Sequence, residues 1–350
     1  MMRVLVMGLG SIAAKHIAAL RRIDPEVAIT ALRSSRASRP VERVKDIYSL
    51  DEDEGNYDFV IISTPTANHD ESIRQALGLG VPLFIEKPLS HTLDIIPVRE
   101  EVEKRGVLNY VACNLRFLDC LRFVKEALET RGKRVNEVNA YCGSWLPGWR
   151  PGADFREVYS AIPEMGGGVH IDLIHEIDYL YWLFGMPVEV SKTLRNASSL
   201  DIRAIDYANY CMVYPGFCAT AILNYYRRDY RRTLEIVWED ETWLVDLAAN
   251  RVTCDDRELF HSERTIADTY ESQLRYFISL LGNPSAKSFN TVADALTAKG
   301  YAFASAQIEM VPQNYQKLEK EEDVANMEKM LDLFDDDDDV QNVWHNWEQE

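Results

Sequence analysis

The first 110 residues alternate between short apolar runs and longer stretches in which apolar residues recur with helical spacing. The apolar runs include residues 3–7, 27–32, 58–65 and 81–85, and helical spacing appears over residues 11–20 and 68–79. Such alternation is typical of a parallel sheet whose strands are joined by right-handed crossover helices. We therefore predict an N-terminal α/β domain with a doubly wound parallel sheet.

Segments rich in β-branched and aromatic residues dominate the chain from about residue 134. They span residues 135–143, 188–195, 207–214, 219–226 and 233–246. Successive strands of this kind predict a mostly antiparallel sheet in a second domain of α+β type. We expect domains over residues 1–118 and 119–310, the latter ending in a helix over 291–310 that packs back on the core, and an extension over 311–350.

The composition indicates in which cell compartment the protein is found and which classes of partner it does not bind. Hydrophobic residues make up 47% of the chain, no apolar run has the length of a membrane span, and no signal peptide precedes the first strand. We therefore expect a soluble, cytoplasmic protein. The six cysteines lack metal-ligand spacing, which predicts buried thiols and no metal site. A net charge of −18 disfavours nucleic-acid and anionic-membrane partners.

Much of the negative charge lies in the C-terminal extension. Residues 311–350 contain 13 acidic residues and three lysines, a net charge of −10. The run of aspartates at 335–339 is expected to be solvated because adjacent carboxylates repel each other. Trp344 and Trp347 are unusual in such a segment and predict docking on the body of the protein or on a partner chain.

A glycine pattern follows the first predicted strand. Gly8-x-Gly10 is followed by Ser11, Ile12 and the small Ala13, where a helical pattern begins. Glycines at these positions let the backbone approach a pyrophosphate at a helix N-terminus. The sequence predicts a dinucleotide site, with a plain glycine turn as the alternative.

The end of the second predicted strand indicates which dinucleotide binds. An NAD-binding domain commonly has an acidic residue there for the ribose hydroxyls, whereas this chain has Arg33-Ser34-Ser35-Arg36. Guanidinium and hydroxyl groups suit a 2′-phosphate. We predict NADP as the cofactor, with NAD as the alternative.

Polar residues also follow two buried strands of the first domain. Thr64-Pro65 ends one strand and Glu86-Lys87-Pro88 ends another. Ligands of open α/β sheets bind outside the carboxyl ends of the strands, so these residues are expected to face the cofactor cleft. Lys87, aimed from a rigid strand end, is a candidate acid or base; a surface lysine is the alternative.

The glycine run 166–168 leads into an apolar, helix-length segment that carries Asp172 and His175. Residues three apart share a helix face, so we expect both side chains to point into one cleft. Imidazole titrates near neutral pH and a carboxylate fixes its tautomer, which predicts acid–base chemistry. A polar helix face capped by glycines is the alternative.

A long loop over residues 145–161 contains the aromatic and cationic residues that a sugar or an anion would require. Its candidate substrate contacts are Trp149, Arg150, Arg156 and Tyr159. A loop that only fills an interface is the alternative.

Four separated motifs resemble those of the glucose–fructose oxidoreductase/inositol dehydrogenase (Gfo/Idh/MocA) family over roughly residues 2–310. They are Gly8-x-Gly10, Thr64-Pro65 followed by His69, Glu86-Lys87-Pro88, and the glycine run that leads to Asp172 and His175. The resemblance implies a Rossmann domain and a second domain with a large open sheet whose exposed face forms homodimers or homotetramers. It implies NAD(P) contacts from these N-terminal motifs and a catalytic set of Lys87, Asp172 and His175, in which His175 exchanges the hydroxyl proton and Asp172 orients it.

The chain departs from the commonest family pattern in three ways. The Asp172-to-His175 spacing is three rather than four, the acidic residue after the second strand is missing, and the tail beyond about 310 has no recognised counterpart. Cys113-Asn-Leu-Arg116-Phe117 and the Trp149 loop are similar to a subgroup associated with bacterial surface-sugar and nonulosonate pathways. On that basis Arg116 is a further candidate for substrate contact.

These features together predict an NAD(P)-dependent oxidoreductase acting on a secondary hydroxyl or ketone of a sugar or nucleotide-sugar. One alternative is a glycoside hydrolase that recycles a bound nicotinamide. Another is a non-catalytic regulatory protein that senses NADP. Retention of Lys87, Asp172 and His175 favours an enzyme, because a sensor does not require acid–base groups.

Overall fold

The computed structural model describes residues 1–37, 39–53, 55–90, 95–283 and 285–295, together with residues 323, 324, 326, 327, 329 and 330. The chain divides into two compact units, Met1–Phe303 and Ala304–Glu350. The six described residues of the second unit are helical. Most of the helix predicted over 291–310 lies outside the described residues, and so do the aspartate run at 335–339, Trp344 and Trp347.

The N-terminal half of the first unit is a six-stranded parallel sheet. Its elements are β1 (Arg3–Met7), α1 (Ser11–Ile23), β2 (Ala28–Leu32), β3 (Val44–Ile47), β4 (Phe59–Ile62), α2 (His69–Leu77), β5 (Leu83–Glu86), α3 (Ile96–Arg105) and β6 (Asn109–Ala112). The strand order is β3-β2-β1-β4-β5-β6. β4 and β5 are buried along their whole length, as expected for parallel strands covered on both faces. The predicted doubly wound sheet is confirmed.

The following segment is built around an eight-stranded sheet. Its elements are α4 (Asp119–Thr130), β7 (Val135–Trp145), α5 (Val169–Asp172), α6 (His175–Phe184), β8 (Glu189–Arg195), β9 (Tyr207–Val213), β10 (Cys218–Asn224), β11 (Tyr226–Trp238), β12 (Thr242–Asp246), β13 (Arg251–Cys254), β14 (Arg257–His261) and α7 (Thr269–Leu280). The order is β14-β13-β12-β11-β7-β10-β9-β8. Its neighbouring strands are antiparallel except for β7 and β10, so the mostly antiparallel sheet is also confirmed.

One predicted strand proves to be two. The run over residues 233–246 is interrupted at the polar residues 239–241, and β11 and β12 form a hairpin across them. Apolar side chains of β7 and β11 pack with those of α4 and α6 in one core. Buried positions alternate with less buried ones along β9, so these helices cover one face of the sheet only.

α7 returns to the N-terminal sheet, which the sequence pattern had not indicated. Leu274 and Phe277 pack with Val4, Val6 and Phe84 in a core beneath α1. The two sheets of the first unit are thereby joined by packing as well as by the chain. Among the described residues no helix has the length and apolarity to cross a membrane.

Candidate active site

The turn between β1 and α1 leaves an open helix N-terminus. Gly8 has a φ of +84°, and a Cβ there would lie 2.7 Å from the Cα and N atoms of Thr64, so only glycine fits. Gly10 precedes α1, and a Cβ there would meet no atom within 4 Å. No side chain caps α1 and its first turn has no acidic residue, so the N–H groups beginning at Ser11 and Ile12 remain available to an anion. The residues present therefore fit a dinucleotide pyrophosphate.

The two arginines after β2 have different environments. The guanidinium of Arg33 lies 3.0 Å from the carboxylate of Asp46, and its side chain is largely buried. Arg36 is three-quarters exposed, ion-pairs with Glu52 at 3.0 Å and lies over the ring of Tyr48. Ser34 between them is exposed. Arg36 is thus the arginine of this pair that remains open to a ligand, whereas Arg33 anchors the loop to β3.

His69 connects the turns that follow β4 and β5. Its Nε2 lies 3.0 Å from the carbonyl oxygen of Thr64, and its Nδ1 lies 3.2 Å from that of Leu89. The ring is buried, and burial lowers its pKa. His69 therefore positions Thr64 and Pro65 from behind the cleft.

The Glu86-Lys87 motif is anchored at its base. Glu86 is buried, and its carboxylate contacts Nε2 of His16 at 2.5 Å and the backbone N–H of Lys87 at 3.1 Å. Burial alone would raise the pKa of Glu86, but the bond to His16 and the charges of His16 and Lys87 bring it below its usual value. The ammonium of Lys87 donates to the backbone carbonyl of Asp172 at 2.9 Å. Lys87, at the end of β5, thus contacts the segment that the sequence predicts to be catalytic.

Asp172 and His175 do not share one helix, so that prediction was wrong. α5 ends at Asp172 and α6 begins at His175, because Leu173 adopts a ψ of 31° outside the helical range. The carboxylate of Asp172 instead accepts hydrogen bonds from the hydroxyls of Tyr159 at 2.9 Å and Tyr225 at 2.5 Å.

The glycine run fixes the entry to this break. Gly166 and Gly168 have positive φ, and a Cβ on Gly167 would lie 2.1 Å from the carbonyl oxygen of Tyr159. The run therefore permits a close approach of the backbone to the loop that carries Tyr159. Its role is packing around Asp172, which spacing alone had not revealed.

His175 is a buried imidazole surrounded by cations. Burial, followed by the charges of Lys87 and Arg232, lowers its pKa well below the ordinary value. Its Nδ1 has no hydrogen-bond partner among the described residues. The ring is accordingly neutral at neutral pH and able to accept a proton, but the carboxylate of Asp172 is bonded to the two tyrosines rather than to it.

Two buried ion pairs hold α6 in place. Glu176 accepts from Arg232 of β11 at 2.6 and 2.9 Å, and Asp178 accepts from Arg116 at 3.0 and 2.6 Å. Arg116 is 3% exposed and also contacts Asn290. The sequence predicted that Arg116 contacts the substrate, but its buried guanidinium is paired with Asp178. Its partner lies 62 residues away, which no local pattern could indicate.

The predicted substrate loop meets Asp172 through part of its residues. Trp149 lies edge-on to Tyr225 with ring centres 5.3 Å apart, and Arg150 lies 5.1 Å from the ring centre of Tyr159. Arg156 is exposed over Phe155 and has no such connection among the described residues. Sequence reasoning missed Tyr225, since an aromatic residue at a strand end carries no signal of its contact with Asp172.

Comparison with known families identifies the two sheets. Residues 2–112 match the model of the oxidoreductase family with an NAD-binding Rossmann fold, and residues 133–244 match the GFO/IDH/MocA C-terminal domain. The chain belongs to the Gfo/Idh/MocA family of oxidoreductases. The resemblance drawn from the four motifs is thereby confirmed, and the first domain is of the NAD-binding class.

The C-terminal part of this Gfo/Idh/MocA chain is similar to a different family. Residues 266–347 match the second and third domain of TACO1/YebC proteins. A probable transcriptional regulatory protein of Agathobacter rectalis is 51% identical over 61 residues, which are 17% of this chain and 25% of that protein. One from Clostridioides difficile is 45% identical over 64 residues, 18% of this chain and 27% of that protein. The chain thus spans about a quarter of the length of these curated relatives. The tail beyond residue 310, for which the sequence alone had offered no recognised counterpart, therefore has one.

Solved structures agree on the fold of the first unit. UDP-N-acetylglucosamine 3-dehydrogenase of Acidithiobacillus ferrooxidans is 20% identical with a TM-score of 0.71, covering 87% of this chain and 96% of that one. The myo-inositol 2-dehydrogenase of Lactobacillus plantarum is also 20% identical, with a TM-score of 0.70 and the same two coverages. The WlbA dehydrogenase of Bordetella pertussis, in complex with NADH and UDP-GlcNAcA, is 19% identical with a TM-score of 0.68, covering 85% and 93%. At these identities the likeness establishes the fold alone.

Proposed function

We propose that this protein is an NAD(P)-dependent oxidoreductase that transfers a hydride between nicotinamide and a secondary hydroxyl or ketone of a sugar or nucleotide-sugar. The observation that carries the proposal is the hydrogen bond from Lys87 to the carbonyl oxygen of Asp172. It joins the strand-end lysine of the NAD-binding domain to the segment that holds the candidate acid–base residues. The dehydrogenases of UDP-N-acetylglucosamine and myo-inositol that share the fold support a sugar as substrate.

The bound nicotinamide supplies the hydride acceptor or donor. In the oxidative direction, the neutral imidazole of His175 takes the hydroxyl proton at Nε2, since Nδ1 is enclosed. Lys87 donates a hydrogen bond to the reacting oxygen and stabilises its negative charge. Asp172, fixed by Tyr159 and Tyr225, accepts a hydrogen bond from a neighbouring substrate hydroxyl and orients the sugar. This assignment separates Asp172 from His175, which the sequence pattern had coupled.

We propose NADP as the preferred cofactor. No acidic residue occupies positions 33–37 directly after β2, and Arg36 presents an exposed guanidinium beside Ser34. Such a group binds a 2′-phosphate bidentately. Arg36→Ala should weaken NADPH binding by about tenfold while leaving NADH binding unchanged, since one charged hydrogen bond contributes about 1.5 kcal/mol. Equal effects on both dinucleotides would contradict this choice.

The decisive experiment follows NADP⁺ reduction by absorbance with nucleotide sugars, free aminosugars, inositols and nonulosonates. Turnover is expected on one class and should fall at least about a hundredfold in Lys87→Ala, since Lys87 stabilises developing charge. NADPH binding to the variant, measured by fluorescence, should be largely retained. Arg251→Ala, at an exposed position on β13, is the matched control. If the wild type binds NADPH but turns over no class of substrate, the proposed dehydrogenase activity is refuted.

We propose three further properties of the protein. The face of the large sheet opposite α4 and α6 carries the contacts of a homodimer or homotetramer, as expected for an uncovered sheet of this size. The protein acts in the cytoplasm. Its functional domains end at residues 118 and 310, the boundaries that the sequence pattern predicts. Sedimentation velocity tests the first property: a monomer at micromolar concentration would contradict it.

A second candidate function is regulatory. The match of residues 266–347 to TACO1/YebC proteins favours it, because curated relatives of that segment are named transcriptional regulatory proteins. In this case the C-terminal unit would contact a partner and the first unit would sense the dinucleotide. A chain ending at Phe303, the boundary of the first unit, distinguishes the two candidates. Unchanged turnover in this truncated chain favours the enzyme, whereas cofactor binding without turnover in either chain favours the regulator.

A further inference from the structure

The beginning of β11 is strongly cationic in a protein with a net charge of −18. Its sequence is Tyr226-Arg-Arg-Asp-Tyr-Arg-Arg232. Tyr226 pairs with Trp145 of β7 and Arg231 pairs with Gly143, so residues 227–230 stand opposite Ser144 alone. These residues therefore form a bulge that leaves the regular ladder, as bulges near functional sites often do.

The bulge begins beside the candidate active site. Tyr225 directly precedes β11, is fully buried, and its hydroxyl donates a hydrogen bond to Asp172 at 2.5 Å. Trp149 lies edge-on to Tyr225, and Trp145, the partner of Tyr226 in the ladder, lies under a guanidinium of the bulge. Tyr225 and Trp149 therefore connect Asp172 to the strand segment in which the bulge lies.

Arg228 is the available cation of this bulge. Its guanidinium lies 3.9 Å from the ring centre of Trp145, its side chain is exposed, and no described carboxylate pairs with it. By contrast, Arg227 pairs with Asp229 at 2.5 Å and Arg232 pairs with buried Glu176. A guanidinium stacked on an aromatic ring keeps its N–H edge free for a planar or tetrahedral anion.

The other side of Asp172 repeats this arrangement. Arg150 lies over the ring of Tyr159, whose hydroxyl bonds Asp172, and no described carboxylate pairs with Arg150 either. Exposed aromatic surface accompanies the two arginines, since Trp149 is 39% exposed. Such rings provide a stacking surface for a planar base.

We propose that the arginine–aromatic edge, defined as Trp145, Trp149, Arg150 and Arg228, binds the diphosphate and base of a nucleotide-activated sugar. The sugar ring of that ligand lies at Asp172. Two arginines suit the two phosphates, whereas a sugar carboxylate requires only one, and the exposed rings would have no partner in a free sugar phosphate. This inference rests on the proposed function, because it places the substrate of the same site.

The test measures binding rather than turnover. UDP is titrated by calorimetry into the full-length protein saturated with NADPH, so that the dinucleotide site is filled. UDP should bind, and both Arg228→Ala and Arg228→Gln should weaken it by about tenfold or more. Gln keeps much of the packing on Trp145 without the charge, and Arg251→Ala on β13 is the matched control and should bind as the wild type does. Trp149→Ala should weaken UDP more than inorganic pyrophosphate.

Several results would overturn the inference. They are no binding of UDP, UDP binding no tighter than glucose 1-phosphate or inorganic phosphate, and Arg228 variants that bind UDP like the wild type. Lys87→Ala should still bind UDP. Turnover of free sugars without UDP binding would refute this inference and leave the proposed function standing. UDP binding in a protein that is inactive on every sugar would refute the proposed function and leave the UDP site standing.

Discussion

Tyr225→Phe removes a hydroxyl at the centre of the candidate site and leaves the aromatic ring in place. The hydroxyl donates to Asp172 at 2.5 Å, and the ring is fully buried, so water cannot replace the lost donor. Hydrogen bonds to charged groups contribute about 1.5–3 kcal/mol. At about 2 kcal/mol, and about 2–4 °C per kcal/mol for a unit of this size, we expect the Tm to fall by about 4–8 °C.

The same substitution at Tyr210 is the control. Tyr210 of β9 is 1% exposed, but its hydroxyl has no hydrogen-bond partner within the described part of the chain. Tyr210→Phe should therefore change the Tm by less than about 2 °C or raise it, since no bond is lost.

Kinetics separate a positioning role for Tyr225 from a purely structural one. If Tyr225 orients Asp172, Tyr225→Phe lowers kcat for the sugar at a temperature where the variant is folded, while NADPH affinity remains unchanged. Melting is followed by circular dichroism and turnover by absorbance. Equal melting of the Tyr225→Phe and Tyr210→Phe variants would refute the reasoning, because the bond to Asp172 would then contribute nothing.

Three further predictions concern the neighbouring groups. The pKa of His175 lies well below its ordinary value of 6.5, and a base must be unprotonated; kcat/KM for oxidation should therefore hold its plateau through pH 6.5 and decline only in more acid solution. A midpoint at or above pH 6.5 would contradict this, and His175→Asn should abolish the decline of kcat/KM in acid solution. Asp172→Asn and His175→Asn should reduce log kcat/KM additively, because no hydrogen bond couples the two side chains, whereas a double variant no slower than either single one would restore the coupled pair. Arg232→Met should destabilise the fold by about 3–5 kcal/mol in urea by leaving Glu176 buried and unpaired, and Glu176→Leu added to it should recover most of the loss; equal stability of the single variant and the wild type would argue against a buried charge.

Chain periodicity and strand-end chemistry predicted most of the fold and the positions of several candidate site residues in it. Both sheets, the glycine turn before α1 and the strand-end position of Lys87 follow from local patterns, because strand burial and turn conformation are set within a few residues. The break between Asp172 and His175 was not predictable in this way. It depends on the contact of Gly167 with the Tyr159 loop, which is a tertiary constraint on a segment of helical composition.

The partners of the charged residues were equally out of reach. Arg116 and Asp178 are 62 residues apart, and Asp172 and Tyr225 are 53 apart. A guanidinium in a sequence motif looks the same whether it faces a substrate or a buried carboxylate. Arg116 and Arg150 were therefore both predicted to contact the substrate, and it is burial that separates them.

Asp172 explains how two sheets make one site. Its backbone carbonyl accepts a hydrogen bond from Lys87, which follows β5 of the N-terminal sheet. Its carboxylate accepts hydrogen bonds from Tyr159 and Tyr225, which lie in connections of the second sheet. The first contact is made by the main chain, so a substitution of the Asp172 side chain does not remove it. It fixes the position of Lys87 relative to the interrupted helix. The second contact belongs to the side chain and sets the direction of a charge. An uninterrupted helix would have used that carbonyl internally. The break after Asp172 is therefore what allows Lys87 to be held within reach of the segment that carries His175.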